Sequence, residues 1–199
     1  MKKELADMIE KRRSIYDLGA KEVLSEQQIS DIVKEAVKYC PTAFNSQSAR
    51  VVVLFGESHH KLWDIVLQEL KKVAPADGFA KTELKIASFA AGYATILFFE
   101  DMETVEALQK KFPLYAENFG KWSLQANGML EYIVWTALEA EGAGASLQHY
   151  NPLIDAAVKQ EWRLPESWML LAQMPVGSVE APAGEKTFLP IDERVKIFK

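Results

Sequence analysis

The pattern that most constrains this chain is one continuous apolar face between Leu124 and Glu141. Ala126, Met129, Leu130, Ile133, Val134, Ala137 and Leu138 recur at the three- and four-residue spacing of an α-helix. Tyr132 and Trp135 widen that face, so more than one surface must cover the helix. The protein's own core or a partner subunit could supply the cover. Two short apolar runs read as buried strands, Arg50 to Phe55 and Tyr93 to Phe99. The first is apolar on both faces, which predicts a central strand. Trp168 to Met174 gives a third.

Shorter helices are punctuated by recognisable caps and stops. Leu5 to Arg13 is amphipathic. Ser25 and Gln28 form a capping-box signature ahead of a helix over Glu26 to Tyr39, and Pro41 stops it by disfavouring helical geometry at Cys40. Further helices are predicted over His59 to Val73, Thr82 to Ala91 with Thr82 as cap, Asp101 to Lys111 with Asp101 as cap, and Pro152 to Gln160. Gly142 and Gly144 end the long helix, and a short strand is expected from Ala145. The segment after Gly177 is loop-rich yet ends in apolar Ile197 and Phe198, which predicts that it docks on something. Helices and strands alternate without a regular βαβ rhythm. The expected class is α+β, with residues 1–199 forming a single domain.

Bulk properties exclude several functions. The formal charge is -5 without a long basic run, which argues against nucleic-acid binding. Cys40 is the one cysteine, so no internal disulfide is available, and a buried, inert thiol is expected. Adjacent His59 and His60 point apart on a helix, and His149 is isolated in sequence, so no metal site is predicted. The start, Met1-Lys2-Lys3-Glu4, is charged, and no run is long and apolar enough to span a membrane. The cytoplasm is the default expectation.

The most informative polar segment is Pro41-Thr42-Ala43-Phe44-Asn45-Ser46-Gln47, held between a helix and a core strand. Amides carry donors and acceptors and can read the edge of a planar heterocycle; an Asx-type turn would use the same residues. Together with Arg12-Arg13-Ser14-Ile15-Tyr16, this segment resembles the nitroreductase family of flavoproteins. Ala91 to Glu100 and Gly144 to Pro152 are similar to its compact subgroup, which includes the yeast fatty-acid-repression (Frm2-type) proteins. The resemblance extends over nearly the whole chain. It implies a nitroreductase-like fold, with a mainly antiparallel sheet surrounded by helices, in an intertwined homodimer with FMN at the interface.

The resemblance also implies roles for particular residues. Arg12, Arg13 and Ser14, joined by Arg194 and Lys196, would grip the phosphate, because guanidinium groups fork onto its oxygens. Two residues apart, Arg194 and Lys196 would point to one side of an extended segment. Asn45 and Gln47 would read the pyrimidine edge or ribityl chain, and Gln125 is a further candidate. Gly144, Ala145 and Ser146 would approach the reactive centre of the ring through their backbone. Tyr16 stands where many relatives carry a cation, which leaves the source of that positive charge open. Phe44, Phe79, Tyr115 and Trp122 are candidates to line an aromatic pocket. No side chain is an obvious general acid, and none is assigned a catalytic role.

The implied activity is FMN-dependent reduction of nitroaromatics, quinones or similar small-molecule acceptors, with NADH or NADPH as reductant and ping-pong kinetics. A stress-response role goes with the subgroup. The alternatives are a flavin-binding regulator with little turnover and a flavin dehydrogenase of a small metabolite.

Overall fold

The computed structural model describes residues 2–75 and 77–199; Met1 of the charged N-terminal segment lies outside them. Chain order begins with α1 (Lys3–Lys11), β1 (Leu18–Gly19), α2 (Glu26–Tyr39) and β2 (Ala49–Phe55). It continues through α3 (Gly56–Val73), α4 (Phe79–Ala90), β3 (Ala94–Asp101), α5 (Met102–Lys111) and α6 (Ala116–Ala140). It ends with β4 (Gly144–Ala145), α7 (Asp155–Trp162), β5 (Trp168–Val179) and α8 (Ile191–Arg194). Every pairing in the five-stranded sheet is antiparallel, in the order β1-β5-β3-β2, with β4 also on β5.

β3 is buried along its whole length and divides the core. On one face, Ile96 and Phe98 meet Ile29 and Val33 of α2 and Leu130, Val134 and Leu138 of α6. On the other, Leu97 and Phe99 meet Leu62, Trp63 and Val66 of α3, Phe89 of α4 and Val158 of α7. The strand alternates its side chains between two hydrophobic layers, each a helical stripe laid on the sheet.

Local signals explain the boundaries. The Ser25 hydroxyl accepts from the Gln28 N–H while the Gln28 side chain accepts from the Ser25 N–H, completing the capping box. Asp101 caps α5 through the Glu103 N–H. At the end of α6 the Gly142 N–H donates to Glu139 O and the Ala143 N–H to Leu138 O. This is the Schellman arrangement, with Gly142 at φ 87°. Gly177 is required for another reason: a Cβ there would lie 2.4 Å from the Gly19 carbonyl oxygen, where β1 crosses β5.

Several expectations are corrected. Among the described residues β2 pairs only with β3 and forms an edge of the sheet, although its apolar faces suggested a central strand. α4 starts at Phe79 after left-handed Gly78, so Thr82 is inside the helix rather than its cap. α6 begins eight residues before Leu124, because its first two turns pack aromatic side chains rather than continue the apolar stripe. The tail stands apart from these corrections: Arg13 holds it at Gly184, while Phe188, Leu189, Ile191, Ile197 and Phe198 are exposed, Phe198 to 91%.

Candidate functional site

After α1 the chain runs straight towards β4, and the Ile15 N–H donates to the Ala145 carbonyl at 2.9 Å. This places Arg12, Arg13 and Ser14 beside the end of α6. The Arg12 guanidinium lies over the Trp135 ring at 4.3 Å and near Tyr132 at 5.8 Å. Its buried Nε has no hydrogen-bond partner among the described residues. The aromatic faces hold the charge in place without consuming its N–H groups. One Arg13 amino group donates to Gly184 O at 2.6 Å. A cleft of about 450 Å³ follows, lined by Arg12, Arg13, Ser14, Tyr16 and Asp17 on one side and residues 181–186 on the other. Lys186 adds a third cation, and Asp17 and Glu185 line the same cleft. A larger neighbouring cleft, about 1110 Å³, passes Arg13, Ile15, Trp135, Gly142 and Ala145.

The Gly144–Ser146 segment is not an open loop. Gly144 and Ala145 are strand residues opposite Gly177 and Val176. All three are buried, and the Ser146 hydroxyl accepts from Gln148 Nε2 at 3.0 Å. A Cβ on Gly144 would come within 3.0 Å of Leu18 and Val179. The glycine therefore serves close packing of strands, and only Ala145 of the three reaches the larger cleft.

Sequence reasoning missed the residue that orders the loop beyond. Gln173 is fully buried on β5. Its Oε1 accepts from the Tyr150 N–H at 2.7 Å, and its Nε2 donates to Asn151 Oδ1 at 3.3 Å. The available signal was an amide inside an otherwise apolar strand.

The Pro41–Gln47 segment forms a tight turn at the other end of the exposed α6 face. Phe44, Asn45 and Gln47 all have positive φ, at 55°, 51° and 49°. Asn tolerates this region and a bulky aromatic does not. The Gln47 N–H donates to Thr42 Oγ1 at 3.1 Å, and the side chains of Asn45 and Gln47 are exposed. Phe44 packs on Phe112, Tyr115, Phe119 and Trp122. Exposed Gln125 shares a cleft of about 380 Å³ with this turn. Phe79 stands apart on α4, near Lys71.

One chain does not unite these parts. Ala126 lies beside the Pro41–Phe44 turn and Trp135 beside Arg12; nine residues at 1.5 Å rise separate them by about 13 Å along α6. Neither the Arg12–Ser14 cleft nor the larger one includes Asn45 or Gln47. Arg194 closes the short helix α8 rather than lying in an extended segment, because the chain turns after Pro190. Arg194 and Lys196 are exposed, and Lys196 Nζ donates to Asp192 O at 2.7 Å. Tyr16 is exposed in the smaller cleft beside Arg12 and Arg13. Glu131, half-buried one turn before Trp135 on α6, is pushed up to about 7 by burial. Among the described residues, no group of His, Cys, Asp or Glu is arranged to hold a metal, and no helix is long and apolar enough to cross a membrane.

The nitroreductase family model matches residues 9–178. The chain belongs to the nitroreductase family. Two yeast proteins extend the match nearly end to end. This chain is 40% identical over 190 residues to the putative nitroreductase HBN1 of Saccharomyces cerevisiae, covering 94% of this chain and 93% of that protein. It is 36% identical to nitroreductase FRM2 of the same organism, covering 91% of each. Among solved structures, nitroreductase CinD from Lactococcus lactis in complex with chloramphenicol superposes with a TM-score of 0.90 at 49% identity. That match covers 98% of this chain and 100% of that one. CinD was also solved with nicotinic acid and with 4-nitrophenol. The antiparallel sheet between helical layers is the nitroreductase-like fold.

Proposed function

We propose that residues 1–199 form one domain of a homodimeric, FMN-dependent nitroreductase that reduces nitroaromatics, quinones or similar acceptors at the expense of NADH or NADPH. The observation that carries this reading is the cationic cleft built by Arg12, Arg13, Ser14 and Lys186. Its donor set suits a phosphate. The Arg12 Nε lacks a hydrogen-bond partner among the described residues, and charge-assisted N–H···O bonds to phosphate are the strong class that a guanidinium makes. When bound, FMN supplies the redox chemistry, taking reducing equivalents from the nicotinamide and passing them on. The chain's own residues bind and orient. Arg12, Arg13 and Ser14 hold the phosphate, and Lys186 offers the cation that Tyr16 does not.

What one chain leaves incomplete supports the homodimer. Asn45, Gln47 and Gln125 lie on the far side of the α6 surface from Arg12, so a second copy brings its own turn to the first copy's cleft. Leu124, Met129, Tyr132 and Ile133 are exposed on α6 between the two half-sites. The edge of β2 and the apolar tail are open as well. Burying these surfaces stabilises an assembly by roughly 25 cal/mol per Å² of apolar area. Pairing also carries Arg194 and Lys196 away from their exposed single-chain positions towards a phosphate. The aromatic compounds in complex with CinD support flat aromatic acceptors; reductant and acceptor using one pocket in turn would give ping-pong kinetics. The absorption spectrum of the purified protein tests the reading: a flavin spectrum, or uptake of added FMN by colourless protein, is expected. Failure of both overturns it.

A further inference from the structure

We propose that Trp135 is a positioning residue for the flavin phosphate: its ring holds the Arg12 guanidinium ready for that group, and so sets a preference for FMN over riboflavin. This rests on the flavin-dependent reading above. Arg12 is the C-cap residue of α1, and that helix buries none of its own residues. Packing of α1 therefore does not decide where the guanidinium lies. A free arginine side chain also carries large rotamer freedom, which a ligand would have to remove on binding. Trp135 removes it beforehand. The guanidinium carbon lies 4.3 Å from the centre of the Trp135 ring, within the range at which a cation rests on an aromatic face.

The platform itself is anchored. Val134 and Leu138 on α6 are fully buried, and Trp135 packs against the core cluster that contains them. A carboxylate in place of the ring would also hold Arg12, but it would neutralise the charge and occupy the N–H groups. Among the described residues no carboxylate pairs with Arg12, and its buried Nε has no acceptor. Arg13 differs, since one of its amino groups is already spent on Gly184 O. Arg12 is thus the more available of the two for an anion. Trp135 lines the larger cleft, Arg12 lines the smaller one, and Arg13 lines both, so the stacked pair stands where the clefts meet. This arrangement selects an elongated ligand by its anionic end and is indifferent to the uncharged remainder.

The test is equilibrium titration of the full-length protein, stripped of flavin, with FMN and separately with riboflavin, read by flavin fluorescence. Trp135→Leu and Trp135→Met both lose the ring, and the flexible methionine fills the vacated space, which guards against a variant that fails to fold. Trp135→Phe keeps an aromatic face. The Kd for FMN is expected to rise about 5- to 30-fold in the Leu and Met variants and to stay within about 3-fold of wild type in the Phe variant. The Kd for riboflavin, which has no phosphate, is expected to stay near wild type in all three. In an Arg12→Ala background, Trp135→Met is expected to cost FMN nothing further, because the group it positions is gone. An unchanged Kd for FMN in the ring-less variants, an equal loss for FMN and riboflavin, or an undiminished effect in the Arg12→Ala background overturns the assignment of Trp135. Wild-type protein that binds neither flavin overturns the reading beneath it.

Discussion

Lowering the pH should destabilise this protein through one buried imidazole. His59 on α3 is 1% exposed. Its Nδ1 faces the Thr95 hydroxyl at 2.8 Å, its Nε2 donates to Ala90 O at 3.1 Å, and Trp63 Nε1 donates to the same Thr95 oxygen at 3.0 Å. Thr95 therefore spends its one proton on Nδ1, and the chain of bonds closes only with a neutral ring. Burial pushes His59 down from 6.5 to about 4, with the neighbouring His60 adding to the effect and the Ala90 carbonyl opposing it. The unfolded chain accepts the proton first. Stability from this group is thus complete above the unfolded value of 6.5 and is lost as pH falls towards 4. At 1.36 kcal/mol per pH unit the whole interval amounts to ~3 kcal/mol, and the fall from pH 7 to pH 5 to about 2 kcal/mol. Urea unfolding at fixed protein concentration, for wild type and the non-titrating His59→Gln variant, isolates the effect from carboxylates common to both. Wild type should lose about 2 kcal/mol relative to the variant over that range. Parallel pH profiles would refute the reasoning.

Deleting the residues after Pro190 should lower dimerisation and flavin retention together, as read by light scattering and the flavin absorbance. A truncated protein that keeps both removes the tail from the account. Arg12→Ala and Arg194→Ala should each weaken FMN binding to the apoprotein by roughly 1.5–3 kcal/mol, the range for hydrogen bonds to charged groups; unchanged affinity in both would move the phosphate elsewhere.

Much of the fold was legible because its signals are local. The capping box at Ser25, the Asp101 cap and the Gly142 stop each act within one helical turn, and all three appear in place. The apolar run from Tyr93 to Phe99 also reads directly as a buried strand, and β3 is buried along its length. What failed depends on distant parts of the chain. The edge position of β2 cannot be read from its own residues, because apolar faces say what lies above and below a strand and nothing about its neighbours in the sheet. The burial of Gly144 to Ser146 depends on Leu18 and Val179, remote in sequence. The site was legible as a set of residue types and not as a place. Arg12 and Ser14 gather in one cleft, while Asn45 and Gln47 sit at the other end of the exposed α6 face; the wide apolar face of that helix called for a covering surface without saying which residues a second copy would bring together.

The most direct measurement is an anaerobic two-step titration of the purified full-length protein. The account predicts a bound flavin whose visible absorbance is bleached by NADH or NADPH and restored by a nitroaromatic such as 4-nitrophenol, one two-electron equivalent in each step per subunit. A flavin-free protein, or a bound flavin that neither nicotinamide reduces, would contradict it.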